Sequence, residues 1–523
     1  MQVTVVNKQI QATTADAIIV NLFEGVTTPG GATGAIDTAL GSSDGMPGNG
    51  AISRLIQLGD FTGKLNEVAV VYTHGLIPAP RVIVAGLGKR EEFTLDRARQ
   101  ASGSAVRKAR DLGCKRVATI VHGSGIGGLQ PREAAQATVE GALMGAYQFR
   151  EHKSKNDNKA IEELIVVEYD AGKLAEIEAG ARAGQIVAEA VNAARTLINR
   201  APNVVYPETF ARAAQEMAAR VGLKCTVLTE AGIAEERMGG VLAVAQGSAH
   251  PPRFVILEHE ARREEGSRES GVGLQTPDSR PLIFIGKGVT FDTGGISIKP
   301  SENMQNMKAD MSGAAAVFGA MQAIAVLNLP QRVIGLIPLV ENMPSDRAYR
   351  PGDVITMMSG LTVEIISTDA EGRMILADAL HYAKRFNPRG VVDLATLTGA
   401  CVVALGEGVA AGLFSNDNAW ANAVLRAAEE QGEKLWRLPL YPEYGDKIKS
   451  DYADIKNSGG RVGGVGTSAY FLYRFVEGKD EYPWAHVDMA GMMFSNENKG
   501  YLVKGAMGYG VRTLVRLAQA GLD

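Results

Sequence analysis

Cysteine is scarce in this sequence, with three residues in 523, at positions 114, 225 and 401, and no C-x-x-C pair. Cys114, Cys225 and Cys401 are too few and too far apart for a disulfide framework or a cysteine zinc site, and they fit a reducing compartment. Net charge is small as well. The 54 basic residues stand against 58 acidic ones, a formal −4, which gives no general reason to expect a nucleic-acid partner. None of the seven histidines pairs with another at metal-ligand spacing. Each reads as a surface or satisfied core histidine, so any bound metal must be held mostly by oxygen. The start, MQVTVVNKQIQATTADAIIVNLF, lacks the basic and continuous apolar regions of a signal peptide and reads as a first strand.

Long uncharged apolar runs are missing too. The nearest is VVDLATLTGACVVALGEGVAAGLF at 391–414, which carries Asp393 and Glu407 among repeated Gly and Thr. It reads as a buried strand and loop rather than a membrane span, and the chain as soluble and cytoplasmic with no membrane partner. No Gly-Lys pair is followed by Ser or Thr, which excludes a Walker-type phosphate loop. GSSDG (41–45) has the G-x-S-x-G spacing, but Ser43 has no strand ahead of it to form a nucleophile elbow. HEARR (259–263) lacks the second histidine of a zincin helix. GLGKRE after VIVA has two of three dinucleotide-fingerprint glycines, which a tight turn after a strand explains equally well.

What is present is ordinary globular composition, 46% hydrophobic and 21% charged, in a chain too long for one core. The expectation is α/β with two domains: a smaller N-terminal one and a larger catalytic one whose central mixed sheet is flanked by helices. In residues 1–173, runs such as AIIVNLF, EVAVVYTH, RVIVAGLG, RVATIVH and ELIVVEY alternate with helical segments, the rhythm of a mainly parallel sheet. Alanine- and glutamate-rich residues 174–199 predict a linking helix, and 200–523 form the second domain. The charged stretch 258–280 reads as an exposed excursion between a strand ending near Leu257 and one starting at Pro281.

In the second domain, PLIFIG runs into KGVTFDTGGISIKP, placing Lys287 at a strand's C-terminal end, Asp292 in the next loop and Lys299 twelve residues after Lys287. MKAD puts Asp310 just before the small-residue helix SGAAAVFGAMQAIAVL. LTVEIIST delivers Asp369 and Glu371, with Arg373 following, ahead of a helix that Asn387-Pro388 ends. Ligands of open α/β sheets sit at the C-terminal edge of the strands, so both acidic clusters map to that edge of one sheet. Packed carboxylates repel and shift each other's pKa. Two divalent metals bridged by carboxylates resolve this, and a lysine deprotonated beside a dication can join them. An ion-pair network of Lys287 and Lys299 with the carboxylates is the alternative.

Taken together, GKGVTFDTGGISIKP, MKADMSGAA, STDAEGRM and DLATLTGA resemble the leucyl (cytosol) aminopeptidase family of dimetal exopeptidases, of the bacterial aminopeptidase A type. The likeness begins at NRAPNVVYPETFA and runs through YADIKNSGGRVGG, WAHVDMAG and KGAMGYGVR, covering 195–515; the N-terminal part is similar more loosely. The resemblance implies one metal held by Lys287, Asp292, Asp310 and Glu371. It implies a second held by Asp292, Asp369, including its backbone carbonyl, and Glu371, with Mn²⁺ or Zn²⁺ in both sites. It implies that Lys299 stabilises the oxyanion, that Arg373 holds a bicarbonate proton relay, and that Met307, Thr396, Gly399, Ala490 and Met493 line a pocket for Leu- or Met-like N-terminal residues of peptides. It also implies a homohexamer. Ser367 and Met374 depart from the family's usual Asn and Leu. Two further readings are a DNA-binding regulator, a role some bacterial relatives add, and a dimetal phosphoesterase. Neither a helix-turn-helix signal nor extra basic phosphate clamps favour them.

Overall fold

Each β-rich run of the N-terminal part becomes a strand in the computed structural model, which describes residues 1–41, 50–155, 159–260, 279–478 and 480–520. The strands are Gln2–Asn7 (β1), Ala17–Leu22 (β2), Val68–Tyr72 (β3), Arg81–Gly86 (β4), Arg116–Thr119 (β5) and Glu163–Glu168 (β6). They form one sheet in the order β1-β6-β5-β2-β4-β3, parallel except where β3 runs against β4. Apolar runs make sense here because helices cover a parallel sheet on both faces. Ile18, Ile19, Val20, Val82, Ile83 and Val84 are all wholly buried.

His122, three residues past β5, is also enclosed. Its Nδ1 lies 2.7 Å from Asn21 Nδ2, and burial pushes its pKa from 6.5 down to about 4. The unfolded chain therefore takes up a proton that the folded chain refuses. This part of the stability should be complete above pH 6.5 and fall as pH drops toward 4, by roughly 3 kcal/mol in all. In His122→Gln, urea midpoints across that window should lose this pH dependence, and an unchanged slope would show that another group sets it.

The helix Leu174–Asn199 is continuous. Two compact units divide within it: Met1–Asn192 with Ser495–Lys504, and Ala193–Phe494 with Gly505–Asp523. The late segment is tied into the first unit by Arg107 Nη1 donating to Gly500 O at 2.6 Å and by Tyr501 OH donating to Asp96 Oδ1 at 2.9 Å. Gly103 permits that approach, since a Cβ there would lie 2.6 Å from Tyr501 Cα.

The second unit carries Lys224–Leu228 (β7), Arg253–His259 (β8), Leu282–Gly286 (β9), Gly288–Asp292 (β10), Val333–Asn342 (β11), Val354–Thr356 (β12) and Thr362–Glu364 (β13). Gly390–Ala395 (β14), Ala411–Ser415 (β15), Leu435–Arg437 (β16), Ile455–Lys456 (β17) and Trp484–Asp488 (β18) follow. Nine of these form a mixed sheet in the order β16-β15-β18-β14-β9-β11-β8-β7, with β10 paired to β11. β12-β13-β17 make a separate small sheet.

Two expectations are corrected by this layout. Asp292 is the last residue of β10 rather than a loop residue, because the chain continues after Lys287 to pair parallel with β11. LTVEIIST does not feed the central sheet. Its strand, β13, is three residues long and pairs only with β12 and β17, so the two acidic clusters arrive from different sheets.

Residues 391–414 form β14, the helix Gly399–Leu405 and the start of β15. The helical stretch Met304–Leu327 is apolar enough by composition to cross a membrane, but 78% of its apolar window is packed inside the fold. His259 of HEARR ends β8 and contacts Leu329 O through Nε2 at 2.8 Å. Ser43 and residues 261–278 lie outside the described residues.

Candidate active site

The strand Leu282–Gly286 is apolar throughout and fully buried, so the first polar residue past it, Lys287, is held at the strand end. Its Nζ reaches Asp310 Oδ2 and Glu371 Oε1, each at 2.8 Å, and donates to Thr396 O at 3.0 Å. Lys299 Nζ bridges Asp292 Oδ2 at 2.8 Å and Asp369 Oδ1 at 2.5 Å. Asp292 Oδ1 accepts from Gly294 N at 2.9 Å and Asn342 Nδ2 at 2.8 Å, and Thr396 Oγ1 donates to Asp310 Oδ1 at 2.7 Å.

Gly372 has a reason beyond turning the chain. A Cβ there would lie 2.4 Å from Lys287 Cε and 2.6 Å from Nζ, so any larger residue would push that side chain off its present path.

The segment carrying Asp369 is bolted down on every side, despite its short strand. Thr368 O accepts from Tyr349 OH at 2.8 Å and Asn342 Nδ2 at 3.0 Å, and Thr368 Oγ1 donates to Gly294 O at 2.6 Å. Asn457 Nδ2 donates to Ser367 O at 2.7 Å, and its Oδ1 accepts from Ile366 N at 2.8 Å. Ser367 Oγ accepts from Asp369 N at 3.3 Å, so the departing serine still caps the motif. Met374 is wholly buried in the core.

Four carboxylates face two ammonium groups here, and the imbalance moves their pKa values. Burial, then the charge of Glu371, raises Asp292 to about 6; burial also raises Asp310 and Asp369. Burial works in the same direction on Glu371, but Lys287 and Lys299 outweigh it and hold that carboxylate down at about 2. Burial lowers Lys287, yet Asp310, Glu371 and Asp292 reverse this and keep it protonated well above the usual lysine range. Carboxylate oxygens of Asp292, Asp369 and Glu371 lie within 4.8 Å of one another. An all-oxygen set with negative charge to spare suits hard or borderline dications. Arg373 Nη1 donates to Asn457 O at 2.6 Å, while its buried Nε has no partner among the described residues.

All twelve residues singled out in the sequence line one cavity of about 900 Å³: Lys287, Asp292, Lys299, Met307, Asp310, Asp369, Glu371, Arg373, Thr396, Gly399, Ala490 and Met493. Arg461 also lines it, on a glycine-rich loop whose only sequence signal was its place in YADIKNSGGRVGG. Of the residues that hold the site from behind, Thr368 and Asn457 fall within STDAEGRM and YADIKNSGGRVGG, whereas Asn342 and Tyr349 lie in no quoted motif.

Residues 192–515 match the model of the cytosol aminopeptidase family catalytic domain, and residues 32–156 that of the family's N-terminal domain. The chain belongs to the cytosol aminopeptidase family. It is accordingly an aminopeptidase, a hydrolase that removes residues from peptide N-termini. A probable cytosol aminopeptidase of Geobacter sulfurreducens is 46% identical over 472 residues, 90% of this chain and 91% of the relative. One of Solibacter usitatus is 43% identical over 518 residues, 99% of each. Among solved structures, a mutant tomato leucine aminopeptidase superposes with a TM-score of 0.85 at 29% identity, covering 100% of this chain and 97% of that one. The bottromycin maturation enzyme BotP in complex with Mn gives 0.82 at 34%, covering 97% and 100%.

Proposed function

We propose that this cytosol aminopeptidase is metal-dependent and releases Leu- or Met-like residues, and that the twelve residues on its cavity carry the reaction. The observation that supports this most is the meeting of the carboxylate cluster and the apolar side-chain pocket in one cavity. Lys287, Asp292, Asp310 and Glu371 would hold one cation, and Asp292, Asp369 and Glu371 the other. Bound there, Mn²⁺ or Zn²⁺ would supply Lewis acidity, activating water and polarising the scissile carbonyl.

The remaining work falls to the chain's own groups. Asp310, oriented by Thr396, accepts hydrogen bonds from the substrate's free amine, which restricts cleavage to the N-terminal residue. Lys299 sets an ammonium group beside the reacting carbonyl and stabilises the charge that develops on its oxygen. The Nε of Arg373, without a partner among the described residues, leaves an edge of the guanidinium for a small planar anion, and bicarbonate there would supply a proton relay. Met307, Met493, Ala490, Gly399 and the Thr396 methyl give the side-chain pocket an apolar wall.

The test is hydrolysis of a leucine anilide with added Mn²⁺, Zn²⁺ or Co²⁺ and again after exhaustive chelation. Activity is expected to vanish on chelation and return with metal, and full activity in the chelated enzyme would overturn metal dependence. Pocket shape offers a second test. A Cβ on Gly399 would meet nothing within 4 Å, so a larger side chain folds into the cavity. Gly399→Val should shift kcat/KM from leucine toward alanine substrates by about ten-fold or more; an unchanged ratio would place the side chain elsewhere. The free cysteines 114, 225 and 401 suit a cytoplasmic protein. Hexamer formation, expected from the family likeness, is tested by sedimentation, where a stable monomer would refute it.

A further inference from the structure

The first unit has a cavity of its own, about 690 Å³, that the peptidase chemistry does not use. Lys8 and Gln9 after β1, Asn21 to Phe23 around the end of β2, Ile120 and Val121 after β5, and Glu168 and Tyr169 around the end of β6 all line it. It therefore sits at the C-terminal edge of the parallel strands. In the order β1-β6-β5-β2-β4-β3, β2 leads on toward β4 on one side and β5 toward β6 on the other. The boundary between β2 and β5 is thus a topological switch point, the place where open α/β sheets bind ligands. The volume falls in the range of small-molecule sites.

The lining indicates which ligand. The loop after β2 enters the helix Gly31–Ala39 with glycine as N-cap, and the N–H groups of Gly31, Ala32 and Thr33 have no acceptor among the described residues. The loop after β5 contributes Gly123, Gly125 and Gly127 to the lining, and faces the first loop closely. A Cβ at Gly30 or Gly31 would lie 3.7 or 3.8 Å from Ile126 Cδ1. Both loops are fixed in place, by Thr33 Oγ1 donating to Asn21 O at 2.7 Å and Arg90 Nη2 donating to Ile126 O at 3.0 Å.

Ser124, also on the lining, has an Oγ screened from solvent with no partner among the described residues. Lys8 and Lys173 bring two ammonium groups to the cavity, Lys173 paired with Asp170 Oδ2 at 3.6 Å. The one carboxylate on its lining, Glu168, already accepts from Tyr169 N at 3.0 Å and Asp170 N at 2.9 Å through Oε1. Ile10, Leu22, Phe23 and Val167 add apolar surface to the lining, and Tyr169 is 77% exposed. Free N–H groups with the ammonium of Lys8 nearby suit phosphate, and apolar side chains with an open aromatic ring suit a flat base.

We propose that this cavity is a second ligand site, independent of peptide hydrolysis, for a phosphorylated nucleoside of the nucleoside diphosphate class. Its phosphates would rest against the two glycine-bearing loops and its base against those apolar side chains and Tyr169.

The experiment is calorimetric titration of the full-length, metal-loaded protein with ADP, and separately with adenosine. One ADP per chain is expected at a Kd of about 1–100 µM, at least about ten-fold tighter than adenosine. The first variant is Gly125→Asp. Gly125 has an ordinary backbone conformation and nothing within 4 Å of its Cβ position, so the change adds negative charge to the lining without a clash. It should weaken ADP by about ten-fold or more, with an unchanged thermal midpoint showing that it folds. Lys8→Glu, at an exposed position, should weaken ADP in the same direction. Absence of ADP binding at millimolar concentration, equal affinity for adenosine, or ADP binding untouched by both folded variants would each overturn the proposal. The last outcome would place ADP on the catalytic cations instead.

Discussion

Glu371→Gln is expected to lower kcat for a leucine anilide by about 10³-fold or more while the protein stays folded. Glu371 is 2% exposed, lies one residue before the helix Gly372–Ala383, pairs with Lys287 at 2.8 Å, and shares the carboxylate cluster with Asp292 and Asp369. Under the proposed function it contributes to both cation sites, so its negative charge is used twice. Glutamine keeps the volume and an acceptor for Lys287 and removes only the charge. Two measurements should move together: the rate, and the number of cations bound per chain by calorimetry. A variant with normal turnover would remove Glu371 from the site, and the ion-pair reading of the cluster would then stand.

The second large effect concerns stability. Asp393→Ala should destabilise the catalytic unit by about 3–5 kcal/mol. Asp393 lies on β14 and is wholly buried; its Oδ2 accepts from Trp484 Nε1 at 2.7 Å, and its Oδ1 meets His486 Nδ1 at 2.6 Å, both partners being on the neighbouring strand β18. Burial pulls the His486 pKa down, but the Asp393 charge and hydrogen bond outweigh it and leave it above 6.5.

A raised histidine stabilises fully below its unfolded pKa and loses that contribution as pH rises through the folded value. The variant should therefore lose most stability on the acid side and show a flatter profile toward alkaline pH. Trp420, Trp436 and Trp484 are the only tryptophans and all lie in the second unit, so tryptophan fluorescence in urea reports this unit alone. A loss below about 1 kcal/mol would mean that the cavity refills or water takes over both hydrogen bonds.

Much of the site was legible because its chemistry is concentrated in short motifs. Lys287 and Asp292 lie five residues apart, Asp369 to Arg373 span one turn, and all reach the same cavity. What the sequence hid was the support. LTVEIIST has the composition of a sheet strand, but only Thr362–Glu364 pair, and the next residues are held by side chains from distant parts of the chain. Asn342, Tyr349 and Asn457 lie 19 to 90 residues away from their partners Ser367 and Thr368, a separation at which no local period connects them. The first sheet was readable for the opposite reason. Its strands are apolar runs bounded by turn residues, and burial on both faces leaves that signal undisturbed. The second cavity was not, since glycines in loops read only as turns until the strand order shows which loops meet.

The segment Ser495–Lys504 has a bearing on how the protein is made. It completes the first unit, with Tyr501 packed on Gly103 and Arg107 bound to Gly500, yet it leaves the ribosome roughly 300 residues after Asn192. At about 5–20 residues per second, the N-terminal sheet waits roughly 15–60 s with that surface bare. During translation the first unit therefore becomes complete only shortly before the second, whose own last segment is Gly505–Asp523. A chain stalled before residue 495 should present an incomplete N-terminal unit to chaperones and proteases.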